Sequence, residues 1–490
     1  MRSRAVATFV ALAIVVAVAA SAAAFKTPVE PYAKPVGSTY EIEPLLSVGD
    51  RVPELGAAGE EYQMIGNPDG LGARRSGDRV EVFSNHELPK PTQSEPRVGR
   101  PLARGAFVSR WLLRENGSVV GGELAYDNVF AEDTLIGPAP DASNTTPAFG
   151  SFCSGFLATG RVGFSQPVYL TGEESTGSDT FDGRGGLSVA VFGNELHTLP
   201  KLGRFAKENG VVMPETGKRT VIFPMEDGPS TADSQLWMYV GRKRRHVDTV
   251  LGRNGLDNGR LFVFVASGHT SEADFRTGTL NGHWVEIPNA EEKTDAELET
   301  AADAAGAFGF IRPEDGAASK TEEGIYYFVT TGGGTGNRLG RGYRLDLHPG
   351  NPTRAAQLKV IYNADRIVAA GGDVAISPDN VDTSRRYLMV QEDGTANSRP
   401  VMGRRGRDGS IWRFDLAHGF ARRRVAQLDP PGRDGAAVGP GIWETSGIIS
   451  TSRLFGRGSW LFDVQAQSPT AAPAPNTVED GQLLLMRRTN

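Results

Sequence analysis

Short apolar runs that end on acidic or amide side chains recur along this chain, and a chain built this way folds as strands. Val80–Phe83 runs into Ser84-Asn85-His86-Glu87, and Val168–Thr171 runs into Gly172-Glu173-Glu174. Val221–Phe223 leads to Glu226-Asp227-Gly228, Tyr387–Val390 to Gln391-Glu392-Asp393-Gly394, and Trp460–Phe462 to Asp463. Plain strand-like runs lie between them at Leu236–Val240, Leu261–Val265, Ile325–Val329 and Ile411–Phe414. Turn residues separate the runs, consistent with 61 Gly and 30 Pro. The spacing is irregular, which fits large repeats carrying insertions better than clean short ones.

The expected fold class is all-β: a β-propeller of about six blades with loop and helical insertions. A pair of β-sandwiches is the alternative. Glu291–Ala307 is rich in Ala, Glu and Asp and reads as a surface helix inside one insertion. Gly481–Met486 reads as a last strand that closes the ring, which removes exposed sheet edges.

The N-terminus reads as an export signal. Arg2 and Arg4 precede an apolar run from Ala5 to Ala20, and Ala22-Ala23-Ala24 gives a small-residue cleavage site before Phe25. The run is shorter than the roughly 20 residues a spanning helix needs. The two arginines are not adjacent, so a twin-arginine signal is not supported. The expected organisation is a signal peptide at 1–24, an extended arm at 25–40 with Pro28, Pro31 and Pro35, and a single propeller domain at 41–490. The expected location is periplasmic or secreted, with no stable membrane anchor. A monomer is expected. Net charge is −6 with no basic stripe, which argues against nucleic acid as a partner. One cysteine, Cys153, allows no internal disulfide.

In a propeller, acids at strand ends far apart in sequence converge on one axis. Convergent carboxylates repel unless cations offset them, and hard cations such as calcium take six to eight oxygen ligands. Any one acid taken alone reads as an exposed turn residue, and it is the shared strand-end position of the set that points to metal. Cys153 is either a small buried hydrophobe or a metal ligand. His86 is either a ligand or a strand-end residue bonded to backbone. In Ile311-Arg312-Pro313-Glu314-Asp315-Gly316, Pro313 stiffens the turn. Arg312 there could hold a phosphate oxygen or pair with a carboxylate between blades.

The ordered set Asn85-His86-Glu87, Cys153-Ser154-Gly155, Leu170-Thr171-Gly172-Glu173-Glu174, Leu202-Gly203-Arg204-Phe205 with Glu208-Asn209, and Arg312-Pro313-Glu314 resembles the PhoX-type alkaline phosphatases. These are exported bacterial proteins. The resemblance runs from about residue 45 to the end and marks a divergent member. It implies a six-bladed propeller with an iron and calcium cluster on its axis, hydrolysing the phosphate monoesters of small molecules. It places Cys153 as an iron ligand, Glu174 and Glu208 as metal carboxylates, and Arg312 and Glu314 as catalytic residues at the phosphate and metal site. The expected metal ligands are His86, Glu87, Cys153, Glu173, Glu174, Glu208, Glu226, Asp227 and Glu314, with Ca2+ and Fe3+ as cofactors. The chain departs from the family at Ala158–Pro167, which lacks a tryptophan, and at Ser234-Gln235, where an acid is usual. A neutral amide there is expected to weaken one cation site. Two other readings stand beside a phosphatase: a non-catalytic calcium-binding propeller, and a calcium-dependent esterase or lactonase of similar fold.

Overall fold

The structure is a computed structural model and describes residues 24–348, 350–430, 438–467 and 474–489. Residues 1–23 of the signal-peptide reading lie outside the described residues.

Six blades fan around one axis, formed by five large and mainly antiparallel sheets, of which the nine-stranded one makes two blades. Blade 1 is Pro68–Ser76, Arg79–His86, Phe107–Leu113 and Val119–Leu124. Blade 2 is Phe156–Ala158, Val168–Gly172, Ser188–Phe192 and Asn194–Thr198, extended at its outer edge by the hairpin Tyr126–Ala131 and Thr134–Pro138. Blade 3 is Lys207–Val212, Arg219–Glu226, Trp237–Arg242 and Arg260–Ala266, followed by Thr279–Ile287. Blade 4 is Pro313–Ala318, Ile325–Thr330, Arg341–Leu347 and Ala356–Asn363. Blade 5 is Pro378–Thr383, Tyr387–Glu392, Ser410–Asp415 and Ala421–Leu428. Blade 6 is Glu444–Ser450, Trp460–Ala466, Asp480–Arg488 and Tyr40–Ser47. The first strand of each blade lines the axis and touches its neighbours around it.

The apolar runs follow from this stacking. Each blade is covered on both faces by its neighbours, so middle strands are buried on both sides and cannot alternate. Ile325–Thr330 and Trp460–Ala466 are buried at every position. The core accordingly divides into six layers, one between each pair of adjacent blades.

The ring closes through both ends of the chain. Asp480–Arg488 pairs on one side with Trp460–Ala466 and on the other with Tyr40–Ser47. The residues before it are docked, with Ala33–Pro35 pairing to Ala421–Leu428 at the outer edge of blade 5 and Phe25 bridging Val119. Blades 3 and 4 are also joined at their outer edges, where Thr279–Ile287 pairs with Ala356–Asn363. The insertion helix is Asp295–Ala305, opened by a capping box between Thr294 and Glu297 and ended by Gly306 with φ +72°. Among the described residues, no helix is long and apolar enough to cross a membrane.

Candidate metal centre

Five blades open onto the axis in the same register. Their first strands begin at or beside Pro68, Phe152, Lys207, Pro313 and Pro378. These pair with His86, Glu173, Glu226, Thr330 and Glu392 at or just past the ends of the second strands. The next residue on each first strand is Asp69, Cys153, Glu208, Glu314 or Asp379, and these side chains converge. Ligand atoms of Asp69, Glu87 and Cys153 lie within 4.8 Å of one another, as do those of Cys153, Glu174 and Glu208, and of Glu208, Glu314 and Asp379. The three groups share members and form one continuous chain of donors across five blades. Cys153 Sγ donates to Asp69 Oδ2 at 3.6 Å.

The floor beneath is a polar network. Asn380 donates to Ser154 Oγ at 2.6 Å and accepts from Gly447 N at 2.7 Å, spanning blades 2, 5 and 6. Asn209 donates to Asp315, which also accepts from Val381 N, tying blades 3, 4 and 5. Gly70 is required where blades 1 and 2 meet, since a Cβ there would lie 2.3 Å from Gly155 N.

The tandem acids split by strand alternation. Successive side chains point to opposite faces, so only one of two neighbours reaches the axis. Glu87, Glu174 and Asp227 do; His86, Glu173 and Glu226, expected as ligands, do not. His86 is buried, with Nε2 2.8 Å from Ser109 Oγ and Nδ1 3.2 Å from Gly66 O, and it stacks on Phe107. Burial pushes its pKa down to about 4, so it is neutral at physiological pH. Glu173 accepts backbone N–H groups from Gly150, Phe181 and Leu187. Glu226 accepts from Gln235 N and Trp237 Nε1, both at 2.8 Å. Both carboxylates also face Lys207, which is buried between blades 2 and 3 over the Phe205 ring. Gln235 is not an axial residue either. Its side chain donates to Glu299 on the insertion helix, in a surface trio with Asp233 and Asp303 that shares no member with the axis.

This division makes a paired prediction. Glu173→Gln should lower stability by about 1–3 kcal/mol, the cost of a damaged buried hydrogen-bond set, and leave cation affinity unchanged. Glu174→Gln should do the reverse, weakening cation affinity about tenfold or more. Thermal unfolding and calcium titration of both variants check this.

The axial charges are strongly unbalanced. Asp69, Glu87, Glu174, Glu208, Asp227, Glu314, Asp379, Asp393 and Glu444 gather around Arg312, with Arg399 the other cation acting on Asp393 among the described residues. Burial, followed by repulsion from Asp69, raises Glu87 to about 7, and burial raises Asp69 to about 6. Burial and the neighbouring carboxylates push Glu174, Glu208, Glu314 and Asp379 well above the ordinary range, and the Cys153 thiol likewise. Arg312 donates Nε and Nη2 to Asp227 at 2.8–3.2 Å, and its Nη2 lies 3.3 Å from Glu314 Oε1. Buried oxygens of Asp69, Glu208 and Asp379 have no hydrogen-bond partner among the described residues. Such oxygens are costly unless something positive meets them. The donor set, hard oxygens with one thiol, fits metal cations.

Asp69, Asp379, Asp393 and Glu444 were not among the expected ligands. A signal for two of them was present. Asn67-Pro68-Asp69-Gly70 and Ser377-Pro378-Asp379-Asn380 repeat the pattern of Arg312-Pro313-Glu314-Asp315.

Fold and site together define a six-bladed propeller with an acid- and thiol-lined axial centre. Within that class the chain is PhoX-like: residues 194–430 match the family described as Alkaline phosphatase PhoX. That match supports a phosphatase. Among solved structures, Pseudomonas fluorescens PhoX in complex with vanadate, a transition state analogue, aligns over 93% of this chain and 97% of its own, with 16% identity and a TM-score of 0.64. It shares the fold. A luciferin-regenerating enzyme aligns over 90% of this chain and 94% of its own, at 8% identity and a TM-score of 0.35. The PQQ-bound aldose sugar dehydrogenase of Streptomyces coelicolor covers 92% of this chain and 99% of its own, at 10% identity and a TM-score of 0.33. No curated protein matches the sequence.

Proposed function

We propose that this chain is an exported, metal-dependent phosphatase that hydrolyses phosphate monoesters of small molecules at the propeller axis. One observation carries the reading: a buried cluster of carboxylates and a thiol, with partnerless oxygens, opens beside Arg312, pinned by Asp227. Glu208, Glu314 and Asp379 would hold calcium. Cys153, with Asp69, Glu87, Glu174 and Glu208 around it, would hold iron. Bound there, the cations would gather the phosphate and polarise its P–O bonds.

The chain's own residues supply the rest. Arg312 keeps 24% of its side chain exposed, and its Nη1 takes no hydrogen-bond partner among the described residues. Nε and Nη2 are committed to Asp227 and Glu314, so the free edge of the guanidinium is aimed before any anion arrives. It would donate charge-assisted hydrogen bonds to a phosphate oxygen. Burial of Glu208, Glu314 and Asp379 keeps water from screening these charges. The apolar leader with its small-residue cleavage site supports a periplasmic or secreted location.

The test joins elemental analysis to turnover of p-nitrophenyl phosphate by the mature protein. The expected result is copurifying calcium and iron, loss of iron in Cys153→Ser, and a drop in turnover of at least about 100-fold on chelation, restored by adding the metals back. Full turnover after stripping would overturn the reading. Bound calcium without turnover would favour a non-catalytic propeller, and turnover of a carboxylic ester instead would favour an esterase.

A further inference from the structure

Four blades turn into the axial centre through a residue in the left-handed backbone conformation. These are Asn67, Ser151, Arg312 and Ser377, with φ of +48°, +35°, +56° and +46°. Each does the same two things. Its carbonyl accepts the N–H of a residue just beyond the second strand: Glu87 at 2.9 Å, Glu174 at 2.7 Å, Thr331 at 3.0 Å and Asp393 at 2.9 Å. Two residues further along the first strand come Asp69, Cys153, Glu314 and Asp379. At Asn67, Ser151 and Ser377 the corner therefore sits between two axial side chains on different strands and hydrogen-bonds to neither of those side chains, whereas at Arg312 the second-strand partner is Thr331 and the guanidinium itself reaches Glu314.

None of the four is glycine, although glycine adopts positive φ without steric cost and fills most such positions in this chain. In three of them a proline follows (Pro68, Pro313 and Pro378), which narrows the corner residue toward extended backbone. A bulge comes next on the same strands, where register shifts between Pro68 and Leu71, Pro313 and Gly316, and Pro378 and Val381. The conformation is thus held against local preference in four separate blades. A residue with a Cβ makes a stiffer corner than glycine, because fewer alternative backbone states compete with it.

We propose that Asn67, Ser151 and Ser377 act through their backbone as positioning residues, fixing the separation of paired axial ligands on neighbouring strands: Asp69 and Glu87, Cys153 and Glu174, Asp379 and Asp393. This rests on the cation-binding reading of the centre. Carboxylates that repel one another would otherwise spread apart, and each cation would have to draw them back. A stiff corner holds them at their bound spacing beforehand, which strengthens binding by removing that reorganisation.

Ser151 allows the cleanest test, since its hydroxyl makes no hydrogen bond among the described residues. Ser151→Val, Ser151→Gly and Ser377→Val are compared with wild type in two measurements. One is calorimetric calcium titration of the metal-stripped protein. The other is amide hydrogen exchange at Glu174 and Asp393 without metal. Valine resists positive φ, whereas glycine accepts it. The valine variants should bind calcium about 10-fold more weakly or worse, and exchange the matching amide about 10-fold faster. Ser151→Gly should stay close to wild type in both. Wild-type behaviour of Ser151→Val would overturn the proposal. So would equal damage in Ser151→Gly, which would assign the effect to the side chain. Failure of both valine variants to fold, judged by near-UV circular dichroism, would make the corner a folding requirement and reject a positioning role. A wild type that binds no calcium would overturn the cation reading instead, and the exchange rates would still decide whether the corner places Glu174 and Asp393.

Discussion

Metal-stripped protein should lose stability as the pH rises from about 5 to 8, and saturating calcium should abolish that loss. The sign follows from the axial carboxylates. Burial holds Asp69 at about 6 and Glu87 at about 7, and Glu208, Glu314 and Asp379 are raised further. In the unfolded chain these groups titrate near 4. Below that value the protonated cluster is compatible with folding. Above it the unfolded chain sheds protons that the folded chain retains, so stability falls with pH until the folded pKa values are passed. Asp69 alone, raised from 3.8 to about 6, accounts for a loss of about 3 kcal/mol between about pH 3 and 7, of which roughly half falls above pH 5. Bound cations reverse the balance, because they favour the ionised ligands and stabilise the folded state by about 2.7 kcal/mol per site at 100 times Kd. Scanning calorimetry at pH 5, 6, 7 and 8, with chelator and with calcium, should show diverging midpoints. A stripped protein whose stability is flat or rises with pH would remove the electrostatic argument for cations at the axis.

The blades were legible because their physics is local. Middle strands such as Ile325–Thr330 are buried on both faces, so they stand out as apolar runs between Gly and Pro turns. The ends of those runs also marked where the axis lies. What could not be read was which of two adjacent acids faces it. In Glu173-Glu174 and Glu226-Asp227 the two neighbours are chemically alike, and only the pairing with Phe152 or Lys207 decides their directions. His86-Glu87 carried a clue, since a buried imidazole with two partners needs no cation, but burial is not visible in a motif. Glu444 was hidden for another reason. It lies at the start of a first strand with no apolar run before it, and it reaches the centre only because blade 6 closes against blades 1 and 5. Gln235 shows the converse error. A neutral amide in a familiar stretch suggests a weakened metal site, whereas the Gln235 side chain bonds Glu299 on the insertion helix.

Replacing Arg312 should separate anion recognition from cation binding more sharply than any other substitution. Arg312→Ala should lower kcat/KM by about 10²–10³, the usual cost of removing one pre-aimed donor from charge developing in a transition state. Arg312→Lys should recover only part of this. It keeps the positive charge but cannot bond Asp227 through two nitrogens while presenting a third to a phosphate oxygen. Cation affinity should move the other way. Arg312 raises the local potential beside Glu314 and Asp227, so its removal leaves a more negative centre, and calcium should bind Arg312→Ala as tightly as wild type or tighter. Asp227→Asn tests the same geometry from the other side, since the amide cannot hold the guanidinium as a charged partner. Substrate affinity should fall there while Arg312 itself is intact. Steady-state kinetics and calcium titration on the three variants separate the two roles. An Arg312→Ala enzyme with wild-type kcat/KM would show that the arginine is an inter-blade tie to Asp227 and that the anion is met by other groups.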